Sequence, residues 1–102
     1  MHIVITALHC EIPDALKERA EAIVERLGQF AARAVECTVV FSKDHNTALA
    51  EVRLHVPKGK LLVAEAPGPD HRSALDRAEE KIRNQLDKSF LKPRARARAD
   101  LA

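Results

Sequence analysis

The sequence predicts an α+β domain of order β-α-β-β-β-α, a four-stranded mixed sheet with two helices packed on one face. Three observations lead there. Two long stretches repeat apolar residues at three- and four-residue spacing, the period of one helix face. Four shorter stretches are β-branched or alternate apolar and polar residues, the period of a strand. Each helical stretch has a single apolar stripe, so both must cover the same side of a shared sheet. The 102 residues suffice for one domain with one modest core.

Residues 2 to 8, His-Ile-Val-Ile-Thr-Ala-Leu, read as the first strand. Pro13 suits the first turn of a helix, and Asp14 and Glu18 suit its positive end. Leu16, Ala20, Ile23, Leu27 and Phe30 then form one stripe, which predicts a helix over 13–32, with Gly28 weakening its last turn. The second strand is expected over 36–42, with Cys37, Val39 and Phe41 on one face. The polar run from Lys43 to Thr47 is turn-prone. The third strand spans 48–56, with Ala50, Val52, Leu54 and Val56 inward and Glu51, Arg53 and His55 outward. After a turn at Pro57–Lys60, the fourth strand covers 61–66, with Leu62, Ala64 and Ala66 inward.

Pro67-Gly68-Pro69 is expected to break that strand, and Asp70 to cap the second helix. The buried stripe of this helix is Leu75, Ala78, Ile82 and Leu86, with Ala74 and Gln85 at its margin, and Pro93 ends it. Strands one and two are parallel because a helix crosses between them, and the later pairs are antiparallel. The core is expected to set Ile3, Ile5, Val39, Val52, Leu54 and Leu62 against Leu16, Ile23, Leu27, Leu75, Ile82 and Leu86. Residues 1–92 make the βαβββα domain, and 93–102 a flexible basic tail.

Charge is unevenly placed. Lys88, Lys92, Arg94, Arg96 and Arg98 are five of the 17 basic residues, and of the 15 acids only Asp100 lies beyond residue 87. The first 87 residues therefore hold 12 basic and 14 acidic residues. A near-neutral body with a cationic end is an asymmetry found in nucleic-acid and membrane binders. No apolar run approaches the ~20 residues that cross a bilayer. The N-terminus enters a strand without a signal peptide, and Cys10 and Cys37 have no disulfide or CxxC spacing. A reducing, cytoplasmic setting is expected.

Little in the chain suggests chemistry. There is no nucleophile motif and no phosphate-binding glycine loop among only three glycines, so no enzymatic activity is expected. His9 and Cys10, with His2 or Cys37, are the best metal candidates, but adjacent residues of an extended segment diverge; neither metal nor cofactor is expected. The outer sheet face, carrying Thr38, Val40, Arg53 and Val63, has no aromatics on which single-stranded bases would stack. The second helix is more informative. Its outward residues include Arg72, Arg77, Lys81, Arg83 and Lys88, and the spacing 77, 81, 88, 92 puts four cations near one stripe, diluted by Glu79, Glu80 and Asp87. Such a face is either a solvated, salt-bridged surface or one that tracks phosphates.

Several strings in their order resemble the ribosome hibernation-promoting family, also known as ribosome-associated inhibitors and sigma-factor modulation proteins. They are Glu11-Ile12 with Ala15-Leu16, Leu54-His55-Val56, and Asp70, Ala74-Leu75-Asp76, Lys81-Ile82 and Gln85-Leu86 through Lys88. The family pattern in that last region is roughly D-x-Y-x-A-I-D-x-x-x-D-K-L-x-x-Q-L-x-K-x-K. The chain departs from it at Arg72, Glu80 and Phe90, and at Pro67 and Pro69 before the cap. The resemblance covers residues 1 to 92 and implies a translation inhibitor that occupies the mRNA–tRNA decoding channel of the small ribosomal subunit in stationary phase or stress. It implies the small subunit and its rRNA as partners, with no membrane and no small-molecule substrate. It also implies rRNA contact by Lys81, Lys88 and Lys92, to which charge adds Arg77, Arg83, Arg94, Arg96 and Arg98. Ending at residue 102, the chain resembles the short class, without the C-terminal dimerisation domain of longer members. The rival readings are a stand-alone double-stranded-RNA-binding module, since α-β-β-β-α also resembles that domain, a protein–protein regulatory module, and a small-molecule or metal-binding domain.

Overall fold

The computed structural model describes residues 2–30, 34–56 and 60–86. Its elements follow the expected order: β1 (His2–Ala7), α1 (Asp14–Phe30), β2 (Glu36–Asp44), β3 (Thr47–Val56), β4 (Lys60–Gly68) and α2 (His71–Leu86). The strands lie in the sheet in chain order. β1 is parallel to β2, with His2 beside Glu36 and Ala7 beside Phe41, because α1 carries the chain back before β2 begins. β3 is antiparallel to β2, and β4 to β3. The β2–β3 connection is tighter than the polar run suggested. Asp44 pairs with Thr47, which leaves a two-residue turn. His45 adopts a φ of 58° there, the left-handed conformation such hairpins require.

Strand alternation builds the core. Cys37, Val39 and Phe41 of β2, Ala50, Val52, Leu54 and Val56 of β3, and Leu62, Ala64 and Ala66 of β4 are buried. They meet Leu16, Ala20, Ile23, Val24 and Leu27 of α1 and Ala74, Leu75, Ala78, Ile82 and Leu86 of α2 in one cluster. Both helices therefore cover the same face. Two buried apolar residues of the helices lie outside the expected stripes: Val24 is fully buried, and Ala74, expected at the margin, is fully buried too. Ile3 and Ile5 are half-buried at the rim, because β1 is an edge strand. The Phe30 side chain and Pro93 fall outside the described residues.

The fourth strand corrects the sequence reading. It does not stop at residue 66 but continues through Pro67, which pairs with Leu49, to Gly68 opposite Ala48. The reason is which way residue 67 faces. β4 is the outer strand, and the carbonyls of Val63, Glu65 and Pro67 point away from β3, where side chains of α2 reach them. In an antiparallel strand the N–H and C=O of one residue point to the same side. The N–H that proline lacks would therefore have faced the free edge, and no ladder bond is lost. Gly68 then lets the strand end lie against the start of α2: a Cβ there would sit 2.7 Å from the Ala74 nitrogen and 3.0 Å from the Asp70 oxygen.

Each helix begins on a cap. The Pro13 carbonyl accepts from the Leu16 and Lys17 amides at 3.0 and 3.2 Å, so Pro13 precedes the first turn rather than lying within it. The Asp70 carboxylate accepts from the Ser73 amide at 2.7 Å. That bond holds its carboxyl below the ordinary range. The helices run in the same direction, because Arg19 pairs with Asp76 and the later Arg26 with the later Glu79.

Three outcomes test this packing. Ile82→Ala empties a fully buried site and should cost about 2–5 kcal/mol; an unchanged melting temperature would contradict the assignment of the inner face of α2. Gly68→Ala should cost about 1–3 kcal/mol by forcing the start of α2 away from β4, visible as a lower denaturation midpoint. Burial, aided by Glu36, pushes the Cys37 thiol up to about 11. The folded chain thus holds this proton where the unfolded chain has released it. Stability from this group is complete below pH 9 and declines as pH rises toward 11. The decline should be smaller in Cys37→Ala, and at pH 8 a thiol reagent should modify Cys37 only after unfolding.

Candidate nucleic-acid interface

The cations of α2 divide into two flanks. On the flank beside the sheet edge, Arg77, Lys81 and Gln85 stand at successive four-residue steps. The Arg77 guanidinium donates to the Pro67 carbonyl at 2.9 Å, the Lys81 ammonium to Glu65 at 2.9 Å, and the Gln85 amide to Val63 at 2.7 Å. The match is geometric. Four residues of helix advance about 6 Å, and two residues of strand advance ~6.8 Å, so each helical turn meets the next outward carbonyl. Arg77 and Lys81 are nonetheless exposed. Lys81 does not simply point to water, as the sequence reading had it, but rests its ammonium on the edge of β4.

Arg83 occupies the other flank. Its Nη1 lies 4.0 Å from Glu79, whose Oε2 also accepts from Arg26 of α1 at 2.9 Å. Arg83 therefore belongs to the seam between the helices and not to the stripe of Arg77 and Lys81. Glu79 is the charged residue that sequence reasoning misplaced. It was counted among the acids diluting an outward face, but it is only 8% exposed; the signal available was its place four residues before Arg83. Nearer the helix starts, Arg19 donates through Nε and Nη2 to Asp76 at 3.1 and 2.8 Å. Arg72 is exposed at the start of α2. Lys88, Lys92, Arg94, Arg96 and Arg98 lie outside the described residues.

The metal candidates do not converge. His9 is exposed with a φ of 57°, Cys10 is half-buried and Cys37 is fully buried. Among the described residues no group of three or more His, Cys, Asp or Glu side chains could hold a metal ion. Cys10 has a neighbour the sequence did not suggest: its Sγ lies 3.9 Å from His71 Nε2 and 3.6 Å from the Phe41 carbonyl. The same His71 nitrogen lies 2.7 Å from the Ser42 carbonyl. A carbonyl only accepts, so Nε2 carries the proton and is not a base toward the thiol. The His71 ring also meets Phe41 edge-on at 5.7 Å, a packing arrangement that anchors the start of α2. No described helix is long and apolar enough to cross a membrane.

The outer sheet face carries Thr38, Arg53 and Val63 in one row, with Leu61 and Val63 exposed on β4 and no aromatic ring among these outward residues. Its exposed rings are the imidazoles of His2 and His55, in the row His2–Glu36–His55–Leu61; among the described residues this face carries no Phe, Tyr or Trp on which bases would stack. What the described surface can offer a polyanion is guanidinium and ammonium groups held on the α2 side of the molecule, a chemistry suited to phosphate rather than to base edges.

The chain is similar to proteins of one kind. Ribosome-associated factor Y of Haemophilus influenzae is 32% identical over 100 residues, covering 98% of this chain and 92% of that protein. The ribosome hibernation promoting factor of Escherichia coli is 33% identical over 88 residues, covering 86% and 92%. Among solved structures, the N-terminal domain of Thermus thermophilus Protein Y superposes with a TM-score of 0.74 at 28% identity, covering 86% of this chain and 98% of that one. A ribosomal subunit interface protein from Coxiella burnetii shares the fold with a TM-score of 0.82 at 24% identity, covering 90% and 100%. The model of the Sigma 54 modulation protein / S30EA ribosomal protein family matches residues 3–92, and the chain belongs to that family.

Proposed function

We propose that this protein is a cytoplasmic ribosome-binding translation inhibitor, a hibernation factor that occupies the mRNA–tRNA decoding channel of the small subunit under stress or in stationary phase. It acts by occupancy, with no catalytic step and no cofactor. The observation that carries the reading is the outer flank of α2. There Arg77 and Lys81 are exposed one turn apart, each fixed by a backbone carbonyl, and in sequence Lys88 and Lys92 continue the same helical spacing. Family membership and relatives named for ribosome association and hibernation support rRNA as the polyanion. In this reading Lys81, Lys88, Lys92, Arg77 and Arg83 contact rRNA phosphates, and Arg94, Arg96 and Arg98 of the tail add to them. Residues 1–92 are the binding domain and 93–102 a basic tail.

Phosphate contacts release counterions, each adding about −0.7 to −0.9 to the slope of log affinity against log salt. With about four contacts the slope should be near −3. Lys81→Gln with Lys88→Gln removes two charges while leaving a donor for the Glu65 carbonyl, since Gln85 reaches Val63 in the same way. This variant should keep its fold and lose roughly 1.5 units of slope. Lys81→Glu with Lys88→Glu should no longer co-sediment with small subunits, and mRNA or initiator tRNA should compete with the wild-type protein. A folded Glu/Glu variant that still pellets at moderate salt would move the binding face off α2. Equal affinity for any A-form RNA duplex would favour the stand-alone duplex-binding reading instead.

A further inference from the structure

The two edges of the sheet are finished differently. The β4 edge is closed by side chains of α2. At the β1 edge, Ile3 and Ile5 line an open groove of about 300 Å³ with Glu21 and Glu25 of α1. The acidic wall continues along the helix. Asp14, Glu18, Glu21 and Glu25 follow at spacings of four, three and four, so they share one face of α1. All four are exposed, and among the described residues none has an ion-pair partner. Of the α1 cations, Arg19 and Arg26 turn to α2, and only Lys17, in the first turn, lies beside β1.

The charge of this groove selects its occupant. RNA is repelled by it, and a second copy pairing β1 against β1 would set two rows of carboxylates against each other. An extended cationic segment fits, and the chain carries one. Arg94, Arg96 and Arg98 alternate with alanines, so an extended backbone puts all three guanidiniums on one side. The tail also starts at the right end of the molecule. α2 begins where β4 ends and runs back along it, so Leu86 lies at the end of the sheet where β1 begins. α1 ends there too, and Glu25 is the acid of the row nearest to it. Packed helix axes lie about 8–10 Å apart, and the seven residues 87–93 span up to ~23 Å when extended, enough to pass round the end of α1. Glu25 to Glu18 covers about 10 Å of helix, and Arg94 to Arg98 about 13 Å of extended chain. Side chains as long as arginine absorb that difference.

We propose that the C-terminal tail docks on its own domain, with Arg94, Arg96 and Arg98 on Glu25, Glu21 and Glu18 and their aliphatic stems over Ile3 and Ile5. The tail is held by side chains and not as a fifth strand. With the strands in chain order and both helices on one face, a return from β4 through α2 to the far side of β1 would be a left-handed crossover. Exposed pairs are individually weak, but tethering gives the tail a high local concentration at the groove. The docking stands without the ribosome reading. Where that reading holds, rRNA must displace the tail before its arginines reach phosphate, so the acidic face of α1 restrains the affinity that the tail adds.

The test uses the full chain in solution. A nitroxide is attached at Ala97→Cys in a Cys10→Ser background, since Cys37 is fully buried and shielded in the folded chain. Paramagnetic broadening of backbone amides is read by NMR at low salt. The expected result is loss of signal at residues 18–25 and at Ile3 and Ile5. The signal should return at about 1 M salt, where the screening length is about 3 Å, and in the variant Glu18→Gln, Glu21→Gln, Glu25→Gln, whose changes are all at exposed sites. No broadening on α1, or broadening that persists in the Gln variant, overturns the proposal. So does broadening of an isotope-labelled chain without nitroxide by a nitroxide-bearing chain without isotope, which would put the tail on a second copy. The Gln variant should also bind small subunits more tightly than wild type, and the gain should shrink when Arg94, Arg96 and Arg98 are changed to Gln. An equal gain in both backgrounds overturns the restraint on binding. A wild-type protein that does not bind small subunits overturns the ribosome reading itself, and the NMR result still decides the docking.

Discussion

The sheet has one apolar face, and that face must be covered completely. β2, β3 and β4 each place every second side chain on it, so no single helix is wide enough to cover it. α1 lies toward β1 and α2 over β3 and β4. This division sets the rest. The crossover through α1 makes β1 parallel to β2, and the two helices run in the same direction side by side. Their macrodipoles are then aligned and repel, and the cross-seam pairs Arg19–Asp76 and Arg26–Glu79 hold them together. The more exposed of them, Arg19–Asp76, contributes little to stability, about 0–1 kcal/mol. Their more definite effect is to fix how the helices register along their length.

Covering the face leaves an edge. β4 is outermost, and an open strand edge invites another strand to add to it. Here the edge is closed by side chains of α2, in step with the strand because a helical turn and a two-residue strand repeat have nearly the same length. Two of the three side chains that close it are cations, and this links packing to the proposed activity. A lysine on a solvated helix is mobile, and fixing it on a phosphate has an entropic cost. Lys81 is already placed by the Glu65 carbonyl, and Arg77 by Pro67, so part of that ordering precedes any encounter with RNA.

Most of the fold was legible because its signals are local and periodic. The alternation in 36–42 and 48–56 named the buried residues of β2 and β3, and the three–four spacing of Leu75, Ala78, Ile82 and Leu86 named those of α2. Where the reading failed, the missing information was nonlocal. Pro67 read as a breaker because its tolerance depends on β4 being an edge strand with residue 67 facing outward. Ala74 read as marginal because its burial depends on how closely Gly68 brings the strand end to α2. Val24, buried in the same cluster, escaped the α1 stripe because how wide a face of the helix the sheet covers is not written in the helix itself.

The sequence by itself determined the order of elements, the identity of the core, and a cationic bias toward the C-terminal end, since these are written in residue type and spacing along one chain. It also carried enough matching strings to suggest the family. Only the tertiary structure decided which cations stand together. Arg77 and Lys81 share a flank and rest on the edge of β4, whereas Arg83 turns to the seam and joins Arg26, a residue 57 positions earlier in the chain. Spacing along α2 alone does not identify a partner on another helix; it is the packing of both helices over one sheet face that brings Arg26 to Glu79.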